Sequence, residues 1–84
     1  MPYIPAPRLL KAFPEAQLVK SKTRIQGGKG LRKRWKDPEG NIYEWDSRHG
    51  RVEKYNKRGK HQGEFEPNTG EQINPPNPDY EVEP

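Results

Sequence analysis

Hydrophobic and polar residues alternate over short stretches from Leu31 onward, and residues typical of turns separate these stretches. The strand-like runs are LRKRWK, NIYEWDS, RVEKYN and QGEFE, interrupted by DPEG, RHG and KRGK and followed by PNTG. Alternation with a period of two is typical of strands that bury one face and expose the other. Short turns between consecutive strands favour pairing of neighbours. The pattern therefore predicts a small antiparallel meander.

The alternation also predicts which side chains share a face of the sheet. In the first run, one face carries Leu31, Lys33 and Trp35, and the other carries Arg32, Arg34 and Lys36. We expect the first face to pack and the second to be strongly positive. Aromatic residues follow the same strands, and they either fill the core or stack on unpaired bases. We assign both tryptophans, Trp35 and Trp45, to packing.

The flanking segments have a different texture. Residues 1–29 are interpreted as an arm, with proline at positions 2, 5, 7 and 14 and a short helix predicted at LLKAF. Residues 30–74 form the predicted sheet, and residues 75–84 form an acidic tail with four prolines. The fold class predicted is mainly β (α+β), a strongly twisted antiparallel sheet with a short N-terminal helix and extended termini.

Composition limits the size of the core and the type of site. Only 27% of the 84 residues are hydrophobic and 33% are charged, so the core has to be thin. The chain contains no cysteine, which excludes disulfides and thiolate zinc sites. No apolar run approaches the length of a membrane span, and the start MPYIPAPRLL lacks the apolar segment of a signal peptide. We therefore expect no membrane anchoring by this domain itself.

Charge is distributed very unevenly along the chain. All sixteen Lys and Arg residues lie in residues 1–60 together with six of the twelve acids, so this part carries a formal charge of +10 and the remainder carries −6. A basic body of this kind favours a polyanionic partner, with nucleic acid as the leading candidate. The alternative is a solvated basic surface without a partner.

Two acids and a histidine lie close together in the stretch EWDSRHGRVEKY. If residues 47–50 form the turn, we expect Asp46 to lie directly opposite Glu53 on one face of the sheet, with His49 at the tip of the loop. Opposed carboxylates raise the pKa of one of them, and an imidazole beside them is stabilised in its charged form. Such a trio separates an acid from a base.

This trio suits RNA cleavage by the 2′-hydroxyl, because one group removes the 2′ proton and another protonates the departing 5′ oxygen without a metal. In the alternative interpretation, Asp46 and Glu53 pair with neighbouring cations in a surface ion network. A metal site is disfavoured, since one histidine and two carboxylates match a facial triad only in count. The candidate cations for RNA binding or ion pairing are Arg32, Lys33, Arg34, Lys36, Arg48, Arg51, Lys54 and Arg58.

Several motifs resemble the cytotoxic ribonuclease domain of the ribosome-inactivating colicins and cloacin, a module also found in contact-dependent inhibition proteins. These motifs are LLKAFPEAQLVK, GLRKRWKD, IYEWDSRHG and GEFEPNTG. The resemblance implies a toxin that cuts small-subunit (16S) ribosomal RNA at the decoding site without metal or other cofactor. It places Asp46, His49 and Glu53 on the family's catalytic residues and Tyr55 on a tyrosine lining its site. The implied roles are Glu53 as base, His49 as acid and Asp46 as the group that orients His49; base and acid could be exchanged.

The tail departs from the family pattern. The family has a catalytic arginine in a basic C-terminal tail, whereas this chain ends in DYEVEP. The charge of the phosphorane then has to be stabilised by another cation, with Arg48, Arg51, Lys54 and Arg58 as candidates. An acidic tail that covers the basic cleft is a further hypothesis, which predicts faster cleavage when residues 75–84 are deleted.

The resemblance also implies partners and a place of action. It predicts the ribosome as target, a small acidic immunity protein as tight partner, and a longer parent protein released or delivered by the producing bacterium to act in the cytoplasm of the target cell. The alternatives are a non-catalytic RNA-binding or ribosome-associated module and a related ribonuclease toxin with another RNA target. Loss of cleavage in a Glu53→Gln variant separates the enzyme from the binding module.

Overall fold

Six strands follow one another across a single antiparallel sheet in the computed structural model, which describes residues 3–84. Met1 and Pro2, the first residues of the predicted arm, lie outside the described residues. The order in the sheet equals the order in the chain, so the predicted meander is confirmed. The strands are β1 (Gln17–Val19), β2 (Arg34–Lys36), β3 (Ile42–Asp46), β4 (Arg51–Tyr55), β5 (His61–Phe65) and β6 (Gln72–Asn74).

The predicted N-terminal helix is wrong, because residues 3–84 contain no helix. It follows that this part of the chain has no helix that could span a membrane. The stretch instead makes two successive turns, in which the amide of Phe13 donates to Leu10 (3.0 Å) and that of Ala16 to Phe13 (3.0 Å). Pro14 has no N–H to continue a helix, and the amide of Ala12 donates across the molecule to Pro67 (2.9 Å). Tertiary packing therefore overrides the local preference.

The register of β3 and β4 differs from the one predicted. Glu53 faces Glu44, and Asp46 faces Arg51, so the direct opposition of Asp46 and Glu53 is wrong. A turn over residues 47–50 makes residues 46 and 51 the first pair outside it. Gly50 ends this turn with a φ of 69°, and its amide donates a hydrogen bond to the Asp46 carbonyl (2.8 Å). Asp46 and Glu53 still share a face, because Asp46 is two residues from Glu44.

One face of the sheet is apolar and is covered by the N-terminal segment. Both tryptophans are buried there, as predicted, and their indole N–H groups donate to the carbonyls of Arg8 (3.1 Å) and Ile4 (2.8 Å). These hydrogen bonds hold the arm against the sheet at both rings. The buried cluster contains Leu10, Ala16, Trp35, Tyr43, Trp45 and Val52.

The opposite face carries buried polar side chains. Arg34 is only 1% exposed and donates twice to Oε2 of Glu44 (2.9 and 2.7 Å). The expectation of an open positive face on β2 is therefore wrong at Arg34. The alternation was predicted correctly, but the C-terminal residues and Thr23 cover this part of the face: Nη1 of Arg34 donates to the Glu83 carbonyl (2.7 Å), and the Thr23 hydroxyl donates to Glu44 (2.6 Å).

Residues 75–84, here called the C-terminal strap, lie against the same face. The amide of His61 donates to the Tyr80 carbonyl (3.2 Å), and the amide of Val82 donates to Gly59 (2.9 Å). Lys60 and Glu81 form an ion pair beside these bonds. The strap is thus hydrogen-bonded to the turn between β4 and β5. Contrary to the prediction, it is not extended throughout, because the amide of Tyr80 donates to the Asn77 carbonyl (3.0 Å) and closes a turn.

Candidate functional site

A cleft of about 1090 Å³ opens on the polar face of the sheet. Residues 23–26 and Arg32 form one side, the strap forms another, and β3, β4 and β5 supply the floor. The four residues predicted to be catalytic, Asp46, His49, Glu53 and Tyr55, all line this cleft. The structure therefore brings them together even though Asp46 and Glu53 are not opposite each other.

Asp46 and His49 form a hydrogen-bonded pair at the end of β3. Nδ1 of His49 lies 2.7 Å from Oδ2 of Asp46, and the amide of Arg48 donates to Oδ1 (3.0 Å). Burial of Asp46 favours a raised pKa, but the hydrogen bonds from His49 and Arg48 outweigh it and hold the pKa of Asp46 below its ordinary value. The carboxylate therefore stays ionised and orients the largely exposed imidazole.

Glu53 has the opposite electrostatic environment. Burial is the main cause that raises its pKa, and the negative charges of Glu64 and Asp46 add to it, while a hydrogen bond from His61 opposes the rise. One carboxyl group is thus held charged and another is pushed towards protonation. Such a separation is the signature of groups with different roles in proton transfer.

Tyr55 lies at the base of the same cleft, with only 4% of its surface exposed. Burial raises the pKa of its phenol, and the charges of Glu44 and Glu53 raise it further. The tyrosine therefore remains protonated. It lines the cleft, and its part in catalysis stays a prediction.

The predicted RNA-binding cations fall into distinct places. Arg32 and Arg48 line the cleft. Lys54 lies on the apolar face, with Nζ 5.7 Å from the centroid of the Tyr43 ring, and Arg58 lies in a separate depression formed with residues of the β2–β3 turn. Lys33 is exposed on the segment before β2, Arg34 is buried as described, and Lys36 is half-buried at the end of β2.

The surface ion network that was the alternative for Asp46 and Glu53 is not formed among residues 3–84. Neither carboxylate makes a salt bridge to Arg48, Arg51 or Lys54; Arg51 instead contacts Glu64 (3.5 Å). The two carboxylates interact with histidines instead. This arrangement favours a chemical role over a merely solvated surface.

Sequence reasoning missed two side chains of the site, His61 and Glu64. Both lie on β5 and are buried beside Glu53: Nε2 of His61 is 2.7 Å from Oε1 of Glu53, and Glu64 is the Cα partner of Glu53. A signal was present, because the KRGK turn makes β4 and β5 a hairpin and thereby places His61 near Tyr55.

Three groups are close enough to share a metal ion. Asp46, His49 and Glu64 each offer a ligand atom within 4.8 Å of the others. An ion bound there would compete with the hydrogen bond between His49 and Asp46 for the same atoms. The prediction that no metal takes part stays a prediction, which cleavage of ribosomal RNA measured in the presence of a chelator checks.

Fold and site together define a small antiparallel β-sheet protein with a histidine–carboxylate acid–base cleft on one face. Comparison with known proteins shows which family this is: the profile of the family described as Cytotoxic matches residues 4–83, and the chain belongs to that family. The family resemblance seen in the motifs is confirmed.

Three relatives from Escherichia coli are similar over 80 residues, which is 90% of this chain. They are colicin-E6 at 46% identity, cloacin at 45% and colicin E3 at 44%. The chain spans only 14% of the length of each of them. The similarity therefore concerns one domain of much longer proteins.

Proposed function

We propose that this chain is a toxin endoribonuclease that cleaves small-subunit ribosomal RNA at the decoding site and so stops translation. The observation that carries the proposal is the cleft in which the Asp46–His49 pair and Glu53 lie together with oppositely shifted carboxyl pKa values. Membership of the Cytotoxic family, with colicins and a cloacin as relatives, supports the same function.

The reaction is a transphosphorylation within the RNA. Glu53 takes the proton of the 2′-hydroxyl, and the 2′ oxygen attacks the adjacent phosphorus. His49 gives a proton to the 5′ oxygen as its bond to phosphorus breaks, which leaves a 2′,3′-cyclic phosphate and a 5′-hydroxyl. Asp46 accepts a hydrogen bond from Nδ1 of His49, so Nε2 is the nitrogen directed away from the protein to meet the leaving oxygen.

The phosphorane needs a cation in the cleft, and among the four candidates Arg48 is the one that lines it. We expect Arg48→Gln to slow cleavage about tenfold or more. Lys54→Gln is the matched control, because it removes the same charge from the apolar face and is expected to change the rate less than about twofold. Single-turnover rates on ribosomes measure both; equal effects of the two variants would contradict a local role for Arg48.

The raised pKa of Glu53 predicts the direction of the pH dependence. A base works only when ionised, so the cleavage rate rises with pH through an apparent pKa above that of an ordinary glutamate. Glu64→Gln removes a like charge and is expected to move this acid limb to lower pH. Single-turnover rates across the acid range test both statements. An unmoved limb in the Glu64 variant would contradict the assignment of the limb to Glu53.

The partners and the place of action follow from the same proposal. The domain acts on the ribosome in the cytoplasm of the target bacterium, after release or delivery of its parent protein by the producer. A small acidic immunity protein protects the producer, and the positive charge of residues 1–60 favours its rapid association. Lys33 and Lys36 supply part of that charge beside the cleft cations Arg32 and Arg48.

The central experiment maps new RNA ends. Purified protein is added to bacterial ribosomes, with and without a chelator, and primer extension locates cleavage in the small-subunit RNA, with Glu53→Gln beside it. A single new end at the decoding site, present with chelator and absent in the variant, supports the proposal. Ribosome binding without a new end would instead favour the non-catalytic module, and an end elsewhere would favour another RNA target.

A further inference from the structure

His61 is a buried histidine that contacts Glu53 and takes no part in the reaction as proposed. Only 3% of its side chain is exposed, and its Nε2 lies 2.7 Å from Oε1 of Glu53. Among residues 3–84, no donor is hydrogen-bonded to Oε2 of the same carboxylate. The two oxygens of Glu53 are therefore not equivalent: one is held by the protein, and the other is free for a substrate.

The protonation pattern of His61 follows from its second contact. The backbone amide of Asn77 donates to Nδ1 of the imidazole (2.9 Å). A nitrogen that accepts a hydrogen bond carries no proton, so the proton of the neutral ring is on Nε2. His61 therefore donates to Glu53 and does not accept from it.

Two tyrosine rings hold the imidazole in place. The Tyr55 and Tyr80 rings each lie with their centroids 5.2 Å from that of His61, at interplanar angles of 62° and 67°. Tyr80 belongs to the C-terminal strap, and its carbonyl also accepts the amide of His61 (3.2 Å). Edge contacts on both sides and a bonded backbone leave the ring little freedom to rotate.

We infer that His61 is a positioning residue for Glu53, held as the Nε2–H tautomer by the C-terminal strap so that Oε2 of Glu53 meets the 2′-hydroxyl. The identity of that substrate group rests on the proposed function, whereas the contact itself does not. The strap then supports the site rather than covers it, so its loss is expected to slow cleavage, the opposite of what an occluding tail predicts.

Two substitutions at position 61 separate the two hydrogen bonds. In His61→Gln the side-chain amide nitrogen reaches about as far as Nε2 and keeps the donor to Glu53. In His61→Asn the amide oxygen lies near Nδ1 and keeps the acceptor for Asn77, but the donor to Glu53 is lost. The charged groups facing Glu53 from the neighbouring strands, Glu44, Asp46 and Glu64, are the same in both variants.

The first readout is the pKa of Glu53, which is measured in the full chain from the NMR chemical shift of its carboxyl carbon as the pH is varied. Loss of a donor destabilises the carboxylate, so we expect a higher pKa of Glu53 in His61→Asn and a value close to wild type in His61→Gln. An unchanged pKa in His61→Asn, with a folded spectrum, overturns the inference. This readout does not depend on whether the protein cleaves RNA.

The second readout is cleavage of ribosomal RNA. His61→Asn is expected to cleave about tenfold or more slowly at neutral pH, with its acid limb moved to higher pH, and His61→Gln to keep most of the rate. A purely structural role would lower the rate equally at every pH and would not be rescued by Gln. If wild type does not cleave but the NMR shift is seen, the proposed function fails and the positioning contact stands.

A matched pair at position 77 tests the role of the strap. Asn77→Ala keeps the backbone N–H, whereas Asn77→Pro removes it, and both remove the side-chain oxygen that caps Asp79. We expect the tautomer of His61, read from its ring nitrogen resonances, to stay Nε2–H in the Ala variant and to become mixed in the Pro variant. Identical resonances in the two folded variants overturn the assignment to the Asn77 amide.

Discussion

Replacement of Glu53 by Gln is expected to lower the single-turnover rate of RNA cleavage by about 10²- to 10⁴-fold, the usual contribution of a general base. The amide keeps the shape of the side chain, and its oxygen still accepts the hydrogen bond from His61, so the cleft is preserved. Only the capacity to take the 2′ proton is lost. Both the cleavage rate on ribosomes and the affinity for ribosomal RNA are measured on the same preparations. The cleavage rate is expected to fall, and the affinity is expected to stay unchanged.

The same variant is expected to be more stable than wild type. The Glu53 charge is partly buried and crowded by Glu64 and Asp46, so its removal should raise the free energy of unfolding by about 1 kcal/mol. The gain is present above the folded-state pKa of Glu53, where the carboxylate is charged, and disappears below the pKa of Glu53 in the unfolded chain.

A cleavage rate within about tenfold of wild type, in a folded Glu53→Gln variant, would show that Glu53 is not the base.

Removal of Arg34 is expected to have the largest effect on stability. Arg34 and Glu44 are 1% and 0% exposed at their side chains, both hydrogen bonds from Arg34 go to Oε2 of Glu44, and Oε1 has no hydrogen-bond partner among the described residues. Arg34→Met leaves a buried carboxylate without its counter-ion, which costs about 3–5 kcal/mol. For a domain of this size that is a large part of the total stability. Urea denaturation followed by tryptophan fluorescence measures the loss.

Two further variants make the Arg34 result specific. Arg34→Met combined with Glu44→Leu is expected to recover most of the stability, because no unpaired charge remains. Arg32→Ala, at the neighbouring cleft position, should leave stability within about 0.5 kcal/mol of wild type but weaken RNA binding and flatten its salt dependence. If Arg34→Met weakened RNA binding with stability unchanged, Arg34 would be an RNA contact and not a structural ion pair.

The β2 strand shows why burial was harder to predict than strand formation. The alternation in residues 31–36 correctly separated Trp35 from Arg34, because it depends only on the geometry of an extended chain. Whether the Arg34 side faces water depends on Glu44 opposite it and on Glu83, 49 residues away, which caps it. Such contacts cannot be predicted from the sequence of the strand itself.

The candidate site shows the same limit at His61. Asp46, His49 and Glu53 were found because they lie within one hairpin, where the chain keeps near neighbours together whatever the rest of the fold does. The predicted register was wrong by two residues, although the four-residue turn is by itself sufficient to place Asp46 opposite Arg51. His61 was missed because its role arises only when β5 pairs with β4.

Local pattern alone was sufficient for the meander, the buried tryptophans and the acid–histidine stretch, because periodicity and turn chemistry act over a few residues. Tertiary structure decided the absence of the N-terminal helix in residues 3–84, the burial of Arg34 and the pairing of His61 with Glu53. Each of these depends on a group far along the chain: the Pro67 carbonyl, the Glu83 carbonyl and the Asn77 amide. The charge and hydrogen bonding of a buried polar group are set by what surrounds it in space, and only the folded chain brings those partners together.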